Sequence, residues 1–246
     1  MIPKNVFRAI LLTAASALSA AVAADKPASK PPKAASRPAS RPAPPKGFVP
    51  IPLKLPKPVF IGTPKNIPPG TTVEKSTGKR RPPFHAPKGT VNVARKCPVA
   101  SSDSEPIIGE PELLTDGDKE ATDGSYVELG PGRQWARIDL GKPCRIYAVV
   151  IWHYHGDPRV YRDVVVQVAD DADFITNVRT LFNNDHDNSA GLGVGKDREY
   201  FETSEGKLID AKGVRARYVK LHSNGSTADA QNHYTEVEVY GKPARK

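Results

Sequence analysis

Residues 113–168 read LLTDGDKEATDGSYVELGPGRQWARIDLGKPCRIYAVVIWHYHGDPRVYRDVVVQV. Short apolar and β-branched runs alternate there with Gly, Pro and Asp, which indicates antiparallel strands rather than helices. Every second residue of 136–140 is apolar, whereas Arg137 and Asp139 between them are charged. Because successive side chains of a strand point to opposite faces, this strand has one apolar face that must be buried. We therefore predict an all-β fold, an antiparallel sandwich.

Two runs in this stretch are apolar on both faces. Residues 146–152 hold no charged side chain, and residues 164–168 carry only Gln167 among valines. Strands of this composition are typical of a sheet that is covered on both sides. We expect them to form the core between the two sheets, and we expect a single helical turn at residues 171–176.

The prolines divide the chain. Of 25 prolines, 17 lie in residues 25–96 and seven lie beyond Cys97. Proline lacks a backbone donor and fixes φ, so the segment is predicted to hold no regular helix or sheet. We predict a signal peptide at residues 1–24, a Pro-rich basic linker at 25–89 and one folded domain at 90–243.

The first residues resemble an export signal. Lys4 and Arg8 precede an apolar run from Ala9 to Ala23, which ends in the small residues that signal peptidase requires. An uncleaved anchor is the alternative, but the run is short for a membrane span of roughly 20 residues. We expect a mature chain from about residue 24 or 25, secreted or periplasmic in the cell envelope of a bacterium and without a transmembrane segment.

The formal net charge of +9 hides two opposite parts. Residues 25–96 carry +14, and the chain from Cys97 onward carries −7. A cationic, extended arm suits an anionic envelope polymer or lipid surface; a solubilising spacer is the alternative. Nucleic acid is not an expected partner, because the segment is exported and has no aromatic residues interleaved with its charges.

The second half of the linker is more apolar. Residues 48–61 contain two each of Phe, Val, Ile and Leu, which is too apolar for a segment that stays fully hydrated. They are Phe48, Val49, Ile51, Leu53, Leu55, Val59, Phe60 and Ile61. We predict an extended arm that docks on its own domain, on another copy of the chain or on a different envelope protein.

Cys97 and Cys144 are the only cysteines. In an exported chain they suggest a disulfide. Two separate buried thiols are the alternative, since neither cysteine has metal-type or redox-type spacing.

Two clusters carry candidate chemistry. In the TDGD turn, Asp116 and Asp118 flank Gly117, and hard cations such as calcium favour oxygen ligands from such turns; a plain turn with Asx hydrogen bonds is the alternative. The connection WHYHGDPRVYR at residues 152–162 offers His, Tyr and Arg, which supply the hydrogen-bond donors and aromatic faces that sugar recognition needs.

Six ordered motifs resemble the discoidin or coagulation factor V/VIII type C domain family over about 150 residues. They are NVARKCPVASSD, LLTDGD, QWARIDLGKPCRIYAVVIW, RVYRDVVVQVADD, ARYVKLHSNG and HYTEVEVYG. The resemblance implies the galactose-binding-like jelly-roll β-sandwich, with almost no helix.

The resemblance also implies a structural calcium between the TDGD turn and the last strand. Its expected ligands are the carboxylates of Asp116 and Glu236 and backbone oxygens at Leu113, Asp118 and Thr235. Val127 stands where the family often has Ser or Thr, so either Thr122 or Ser125 replaces that ligand or the site is weakened.

For the sugar site, the resemblance implies Arg159, with His153 or His155 as its companion. Tyr126 and either Asn232 or His233 would close the pocket from neighbouring loops. The alternatives are that Arg159 pairs with surplus acids and that His153 is an interior histidine.

We predict no catalysis, because no nucleophile elbow, activated thiolate or distinctive carboxylate pair is present. A zinc site combining His153, His155 and His186 is a minor alternative, and the GLGVG stretch at 191–195 lacks the context of a phosphate loop. Two functions compete: a carbohydrate-binding or adhesion module that recognises a glycan or envelope polysaccharide, and an envelope subunit that binds a partner protein through its arm.

Overall fold

The computed structural model describes residues 43–60, 67, 69, 71–75 and 78–244. The predicted signal peptide and the first part of the basic linker, residues 1–42, lie outside this part, as does Ile61. The described elements are ten strands and one 3₁₀ helix. They are β1 (Phe48–Pro50), β2 (His85–Pro87), β3 (Val91–Asn92), β4 (Val99–Ser101), the 3₁₀ helix (Pro111–Thr115), β5 (Val127–Leu129), β6 (Gln134–His153), β7 (Val165–Ala169), β8 (Arg179–Asn183), β9 (Lys207–Ser223) and β10 (Asn232–Pro243).

The long strands β6 and β9 each contribute to two layers. The first half of β6 pairs with β4 and with the second half of β9, which continues to β7 and β8. After a register shift between Asp139 and Cys144, the second half of β6 pairs with β10 and with the first half of β9. Strands β3 and β5 pair with β10. Every pairing is antiparallel, which confirms the predicted all-β antiparallel sandwich.

The core lies between the two layers. Ala136, Ile138 and Leu140 are buried in it, as the alternating pattern predicted. Valines of β7 and β10 meet them from the same core, which also receives Leu114 of the 3₁₀ helix. These side chains are removed from water almost completely, and burial of this kind is the main favourable term in folding.

The layer that contains β10, called here the arm-covered layer, is also buried on its outer face. Ala148, Val150 and Trp152 of β6 and Tyr240 of β10 contact Ile51 and further apolar residues of the linker, namely Leu53, Phe84 and Ala86. The prediction that residues 146–152 are enclosed between two sheets is therefore incomplete. One face meets the second sheet, and the other meets the arm.

Polar contacts fix the rest of the arm. Glu74 forms an ion pair with Lys207 at 2.9 Å, and its N–H donates to the carbonyl of Glu199 at 2.8 Å. The guanidinium of Arg81 donates to the carbonyls of Glu205 and Gly206 at 2.8 and 2.7 Å. Of the three docking partners left open by the sequence, the structure shows the chain's own domain.

Two local expectations need correction. The Pro-rich segment does form regular structure, because β1 and β2 pair over three residues each. Residues 171–176 form a turn rather than a helical turn, since the carboxylate of Asp171 accepts the N–H groups of Asp173, Ile175 and Thr176. In the described part of the chain, no helix has the length and apolar character needed to cross a membrane.

The cysteines are free thiols, so the predicted disulfide is not formed in this structure. The thiol of Cys97 is directed at the carbonyl of Val93 at 3.3 Å, and that of Cys144 at the carbonyl of Lys142 at 3.5 Å. Burial raises the pKa of both thiols, which keeps them protonated and unreactive at neutral pH.

Candidate functional site

The candidate site lies where β6 ends and β10 begins. His153, the last residue of β6, pairs with Tyr234 of β10, and the neighbouring His233 pairs with Glu128 of β5. This register brings Tyr154 after β6, Tyr126 before β5 and the first residues of β10 to one end of the sandwich. Residues far apart in sequence thus converge there.

Three aromatic rings meet at this end, two of them partly exposed and the third, His233, buried at 6% exposure. The rings of Tyr126 and Tyr154 are 5.1 Å apart in a T-shaped arrangement. The ring of His233 lies 5.8 Å from Tyr126 and 6.1 Å from Tyr154. Tyr126 and Tyr154 remain partly exposed, so their rings are accessible from solvent.

Arg159 is fixed against this cluster. Its guanidinium lies 4.8 Å from the ring centroid of Tyr154, and Nε and Nη2 donate to Asp157 at 2.6 and 2.7 Å. Nη1 donates to Asp229 at 3.1 Å. The hydrogen bonds from Arg159 lower the pKa of Asp157, and those to Asp157 raise the pKa of Arg159, so both stay charged. We call Tyr126, Tyr154, Arg159 and His233 the rim cluster.

His233 connects the cluster to two acids. Its Nε2 lies 3.3 Å from Glu128 and its Nδ1 3.9 Å from Asp229. Burial lowers the pKa of His233, although the two carboxylates oppose this shift. A ring that is neutral near pH 7 has one donor and one acceptor nitrogen, which suits a hydroxyl group.

Two predicted ligand residues are not part of this surface. His153 has no exposed area and packs between Tyr161, stacked at 4.2 Å, and Tyr234, while its Nδ1 donates to Glu202 at 3.0 Å. His155 is equally buried, and its Nε2 donates to the carbonyl of Lys119 at 2.8 Å. Both imidazoles therefore lie beneath the surface and do not form part of it. For His153 this confirms the alternative that it is an interior histidine.

Of Asn232 and His233, the structure brings only His233 to the rim cluster. Asn232 is fully buried, and its amide donates to the carbonyls of Gly130 and Gly132, both at 2.9 Å. Its carbonyl accepts the hydroxyl of Ser223 at 2.7 Å. Asn232 thus joins the loop before β6 to the start of β10.

Tyr154 was expected only as part of the connection at residues 152–162 and had no assigned place in the pocket. The alternative that Arg159 pairs with acids is confirmed, although Asp157 and Asp229 had not been named as those acids. Tyr154 reaches the cluster because Gly156 leaves room: a Cβ on Gly156 would lie 2.4 Å from the Tyr154 hydroxyl. That glycine, two residues after an aromatic residue in a connection, was the available signal. Asp229 gives no such signal, because it is 70 residues from its partner.

The TDGD turn lies beside β10 as predicted. The N–H of Gly117 donates to the buried carboxylate of Glu236 at 3.0 Å. The Asx pattern is also present, since Asp116 accepts the N–H of Asp118 at 2.7 Å. Asp118 accepts the hydroxyl of Ser125 at 2.9 Å, which in turn lies 3.0 Å from Thr122. Both hydroxyls considered as replacements for Val127 are therefore next to this turn.

The residues around Glu236 fit a hard cation. Glu236 has no exposed area, and its second carboxylate oxygen, like the hydroxyl of Thr235, has no hydrogen-bond partner in the described part of the chain. Burial raises the pKa of Glu236 to about 9, and the nearby charge of Asp116 contributes to the shift. Lys119 pairs instead with Glu238 at 2.7 Å. Without a cation, burial therefore favours the neutral acid near pH 7, and an oxygen-ligated cation would instead stabilise the charged carboxylate.

A separate group of acidic side chains lies in the loops before β7 and after β8. Ligand atoms of Asp163, Asp185 and Asp187 lie within 4.8 Å of one another. The carboxylate of Asp185 accepts the N–H groups of Ser189 and Ala190 at 3.0 and 2.8 Å, so its role is to order the loop. His186 is not part of this group; its Nε2 donates to the carbonyl of Asp197 at 2.8 Å. The zinc alternative with His153 and His155 is not assembled in the described residues.

Comparisons with known proteins give structural matches only. No protein-family model matches the sequence, and no curated protein is significantly similar. Chitosan-binding module 1 from a chitosanase/glucanase of Paenibacillus sp. IK-5 is 21% identical, with a TM-score of 0.45, over 61% of this chain and 98% of that one. A Streptococcus pneumoniae fucose-binding module is 20% identical, with a TM-score of 0.45, over 62% of this chain and 96% of that one. A family 89 glycoside hydrolase of Clostridium perfringens is 18% identical, with a TM-score of 0.47, and the match covers 63% of this chain and 15% of the hydrolase.

Proposed function

We propose that this chain is a non-catalytic carbohydrate-binding protein whose rim cluster holds the sugar. One observation carries the proposal: a guanidinium fixed by two carboxylates lies against an aromatic ring, and two further rings adjoin it at a loop end of the sandwich. Such a site is preformed, so little ordering entropy is lost when a ligand binds.

The groups at the rim cluster match a sugar ring. Arg159 is 7% exposed and uses three of its five N–H donors on Asp157 and Asp229, which leaves two for hydroxyl groups. Asp157, Asp229 and Glu128 offer carboxylate oxygens that accept hydrogen bonds from hydroxyls. The partly exposed face of Tyr126 or Tyr154 suits the C–H side of the ring.

A glycan array tests the proposal. The full chain is compared with Tyr126→Ala, which removes a partly exposed ring, and with Arg145→Gln, which removes an exposed charge from β6 outside the rim cluster. We expect the wild-type protein and Arg145→Gln to bind the same glycans, and Tyr126→Ala to lose most of the signal. Binding that survives in Tyr126→Ala, or no binding by the wild-type protein to any glycan, counts against the proposal.

We further propose that calcium stabilises the turn at Asp116–Asp118 against β10. The support is the buried carboxylate of Glu236 with one oxygen unpaired among the described residues. When bound, the ion would be the cationic partner that the carboxylate of Glu236 lacks among the described residues. It would be held by Leu113, Asp116, Asp118, Thr235 and Glu236.

Removing the metal gives a direct readout. We expect a chelator to lower the melting temperature of the wild-type protein and added calcium to restore it. Glu236→Gln, which keeps the shape of the side chain and removes its charge, should melt at the same temperature with and without chelator. A wild-type protein whose melting temperature ignores every chelator concentration has no such site.

The location follows from the first 24 residues. We propose that they direct export and are removed, so that the basic linker and the domain act in the bacterial envelope. N-terminal sequencing of the protein recovered from the producing cell tests this: a start near residue 24 or 25 is expected, and an intact Met1 excludes cleavage.

A further inference from the structure

The layer formed by β4, β6, β9, β7 and β8 has an outer face that the arm does not cover in the described part of the chain. Ala136, Ile138, Val219 and Leu221 point into the core, so the residues between them point outward. Across β6 and β9 the outward residues form three rows, Trp135–His222, Arg137–Lys220 and Asp139–Tyr218. The outward residues of β7, like His222 and Tyr218, are buried, so the accessible part of these rows consists of Trp135, Arg137, Asp139 and Lys220. We call this surface the outer cationic face.

The middle row places two cations directly opposite each other. Arg137 pairs with Lys220 in the register of β6 and β9, and the small Ala100 of β4 lies on the other side of Arg137. Like charges at opposed positions destabilise a sheet. Across residues 78–244 neither cation forms an ion pair with a carboxylate. Arg137 donates only to the carbonyl of Ala172, at 2.8 Å.

Aromatic rings surround these two charges without neutralising them. The ammonium of Lys220 lies 4.9 Å from the ring centroid of Trp135 and 4.3 Å from that of Phe174. The guanidinium of Arg137 lies 5.8 Å from Trp135 and 6.0 Å from Tyr218. Burial, and next the charge of Arg137, lowers the pKa of Lys220, and the charge of Asp173 opposes this shift only in part. The face therefore holds positive charge at a cost that a bound anion would relieve.

We propose that the outer cationic face binds an acidic polysaccharide, with a uronate carboxylate between Arg137 and Lys220 and a sugar ring against Trp135. Guanidinium and ammonium groups are strong partners for a carboxylate, and an indole face suits the C–H side of a sugar ring. The two cations lie opposite each other on adjacent strands, and their side chains stand out from the same face of the sheet. One carboxylate can reach both charges there, whereas binding to a lipid surface relies on larger cationic clusters.

The experiment titrates a galacturonic acid trisaccharide, and separately a neutral galactose trisaccharide, into the full chain. The binding variant is Arg137→Gln with Lys220→Gln. The matched control, Arg145→Gln with Lys212→Gln, removes two exposed charges outside this face and changes the net charge equally. We expect the binding variant to weaken affinity for the acidic trisaccharide at least tenfold and the control to leave it unchanged. The melting temperature of the unliganded binding variant should not fall, because the opposed charges are gone.

Backbone amide shifts identify where the trisaccharide binds. The expected shifts lie at Trp135, Arg137, Lys220 and Phe174. Shifts confined to the basic linker, shifts confined to the rim cluster, equal binding of the neutral trisaccharide, or equal loss in the control would each overturn the inference. So would binding to anionic phospholipid vesicles with none to the trisaccharide. Because the two surfaces share no residue, the outcome of this experiment does not decide whether the rim cluster binds a sugar.

Discussion

His222 is a buried titratable residue whose side chain lies in the outer face of β9. It is 7% exposed, and neither ring nitrogen has a hydrogen-bond partner among the residues that the structure describes. Burial, followed by the charges of Lys220 and Arg133, lowers the pKa of His222 to about 4. In an unfolded chain the ring titrates near 6.5. Between these two values the unfolded state binds a proton that the folded state does not.

This difference predicts a loss of stability in acid. Above pH 6.5 the ring is neutral in both states and does not lower stability. As the pH falls from 6.5 to 4, the unfolded state gains a proton, and the resulting loss of unfolding free energy reaches about 3 kcal/mol at pH 4. His222→Gln should show a flatter pH dependence than the wild-type protein in urea unfolding at pH 7, 5.5 and 4. His186→Gln, which removes an exposed histidine, is the control. Parallel curves for wild type and His222→Gln would show that this ring does not titrate as described.

The membership of the rim cluster was partly predictable. Arg159, Tyr126 and His233 could be named because their residue types and motif positions resemble those of a sugar-binding family. The burial of His153 and His155 could not, because alternation along a strand does not show which face another loop will cover. Asp157, Asp229 and Glu128, which fix Arg159 and His233, come from three separate elements, and their proximity appears only in the folded chain.

At the scale of elements, the arm acts as a cover for the arm-covered layer. Ile51 is 8% exposed and contacts the outer face of β6 and β10, whereas Val49, two residues earlier, is 40% exposed. The two residues therefore differ in burial within the same short segment, which makes them a matched pair.

Alanine substitutions at these two positions test whether the arm is stabilised by the packing of Ile51 on the sandwich. Ile51→Ala should lower the unfolding free energy by about 2–4 kcal/mol, because it removes buried methyl groups and leaves a cavity. Val49→Ala should change it by less than about 0.5 kcal/mol, as is usual for an exposed position. Urea unfolding measures both. Similar losses in the two variants, or none in Ile51→Ala, would mean that the arm is not docked as described.

The turn before β9 packs on the same layer. The indole of Trp152 donates to the carbonyl of Ser204 at 3.0 Å, and a Cβ on Gly206 would lie 2.7 Å from the Trp152 ring. Gly206 has φ of +61°, and Gly124, with φ of +87°, has open space around its Cβ position.

Two alanine substitutions therefore isolate the steric contact. Both place alanine at positive φ, which costs roughly 1 kcal/mol. Gly206→Ala should cost a further 1–3 kcal/mol, approximately, because Trp152 has no room to shift in a packed layer. Thermal unfolding of the two variants gives the comparison. If Gly124→Ala destabilised the protein as much as Gly206→Ala, the contact with Trp152 would have no energetic weight.

The fold class was predictable because its signal is local. Alternation in β6 and turn residues at its ends indicate antiparallel strands from a few residues each. The reason why residues 146–152 are apolar on both faces is not local, since it depends on a linker segment nearly 100 residues earlier in the chain. A composition rich in proline also obscured the short pairing of β1 with β2, in which each strand contributes three residues.

At the scale of the whole molecule, the structure bears on the two competing functions. The envelope-subunit alternative relies on the apolar arm to contact a partner, but Ile51 and Leu53 already pack on the chain's own sandwich. Val49, Leu55 and Val59 stay exposed at 40%, 42% and 57%, so they are the large apolar residues of the described segment 48–60 that remain for a partner. Deleting residues 46–64 would therefore destabilise the domain itself, so loss of a co-purifying protein from that variant is not by itself evidence of a binding arm.

The central claim is that Arg159 presents fixed donors to a sugar. Titration calorimetry with the best glycan from the array, on the full chain and on Arg159→Gln and Arg145→Gln, tests it most directly, with melting curves to verify folding. We predict that Arg159→Gln weakens binding by about 10- to 100-fold, or about 1.4–2.7 kcal/mol, and that Arg145→Gln binds like wild type. Unchanged affinity in a folded Arg159→Gln protein would contradict the account.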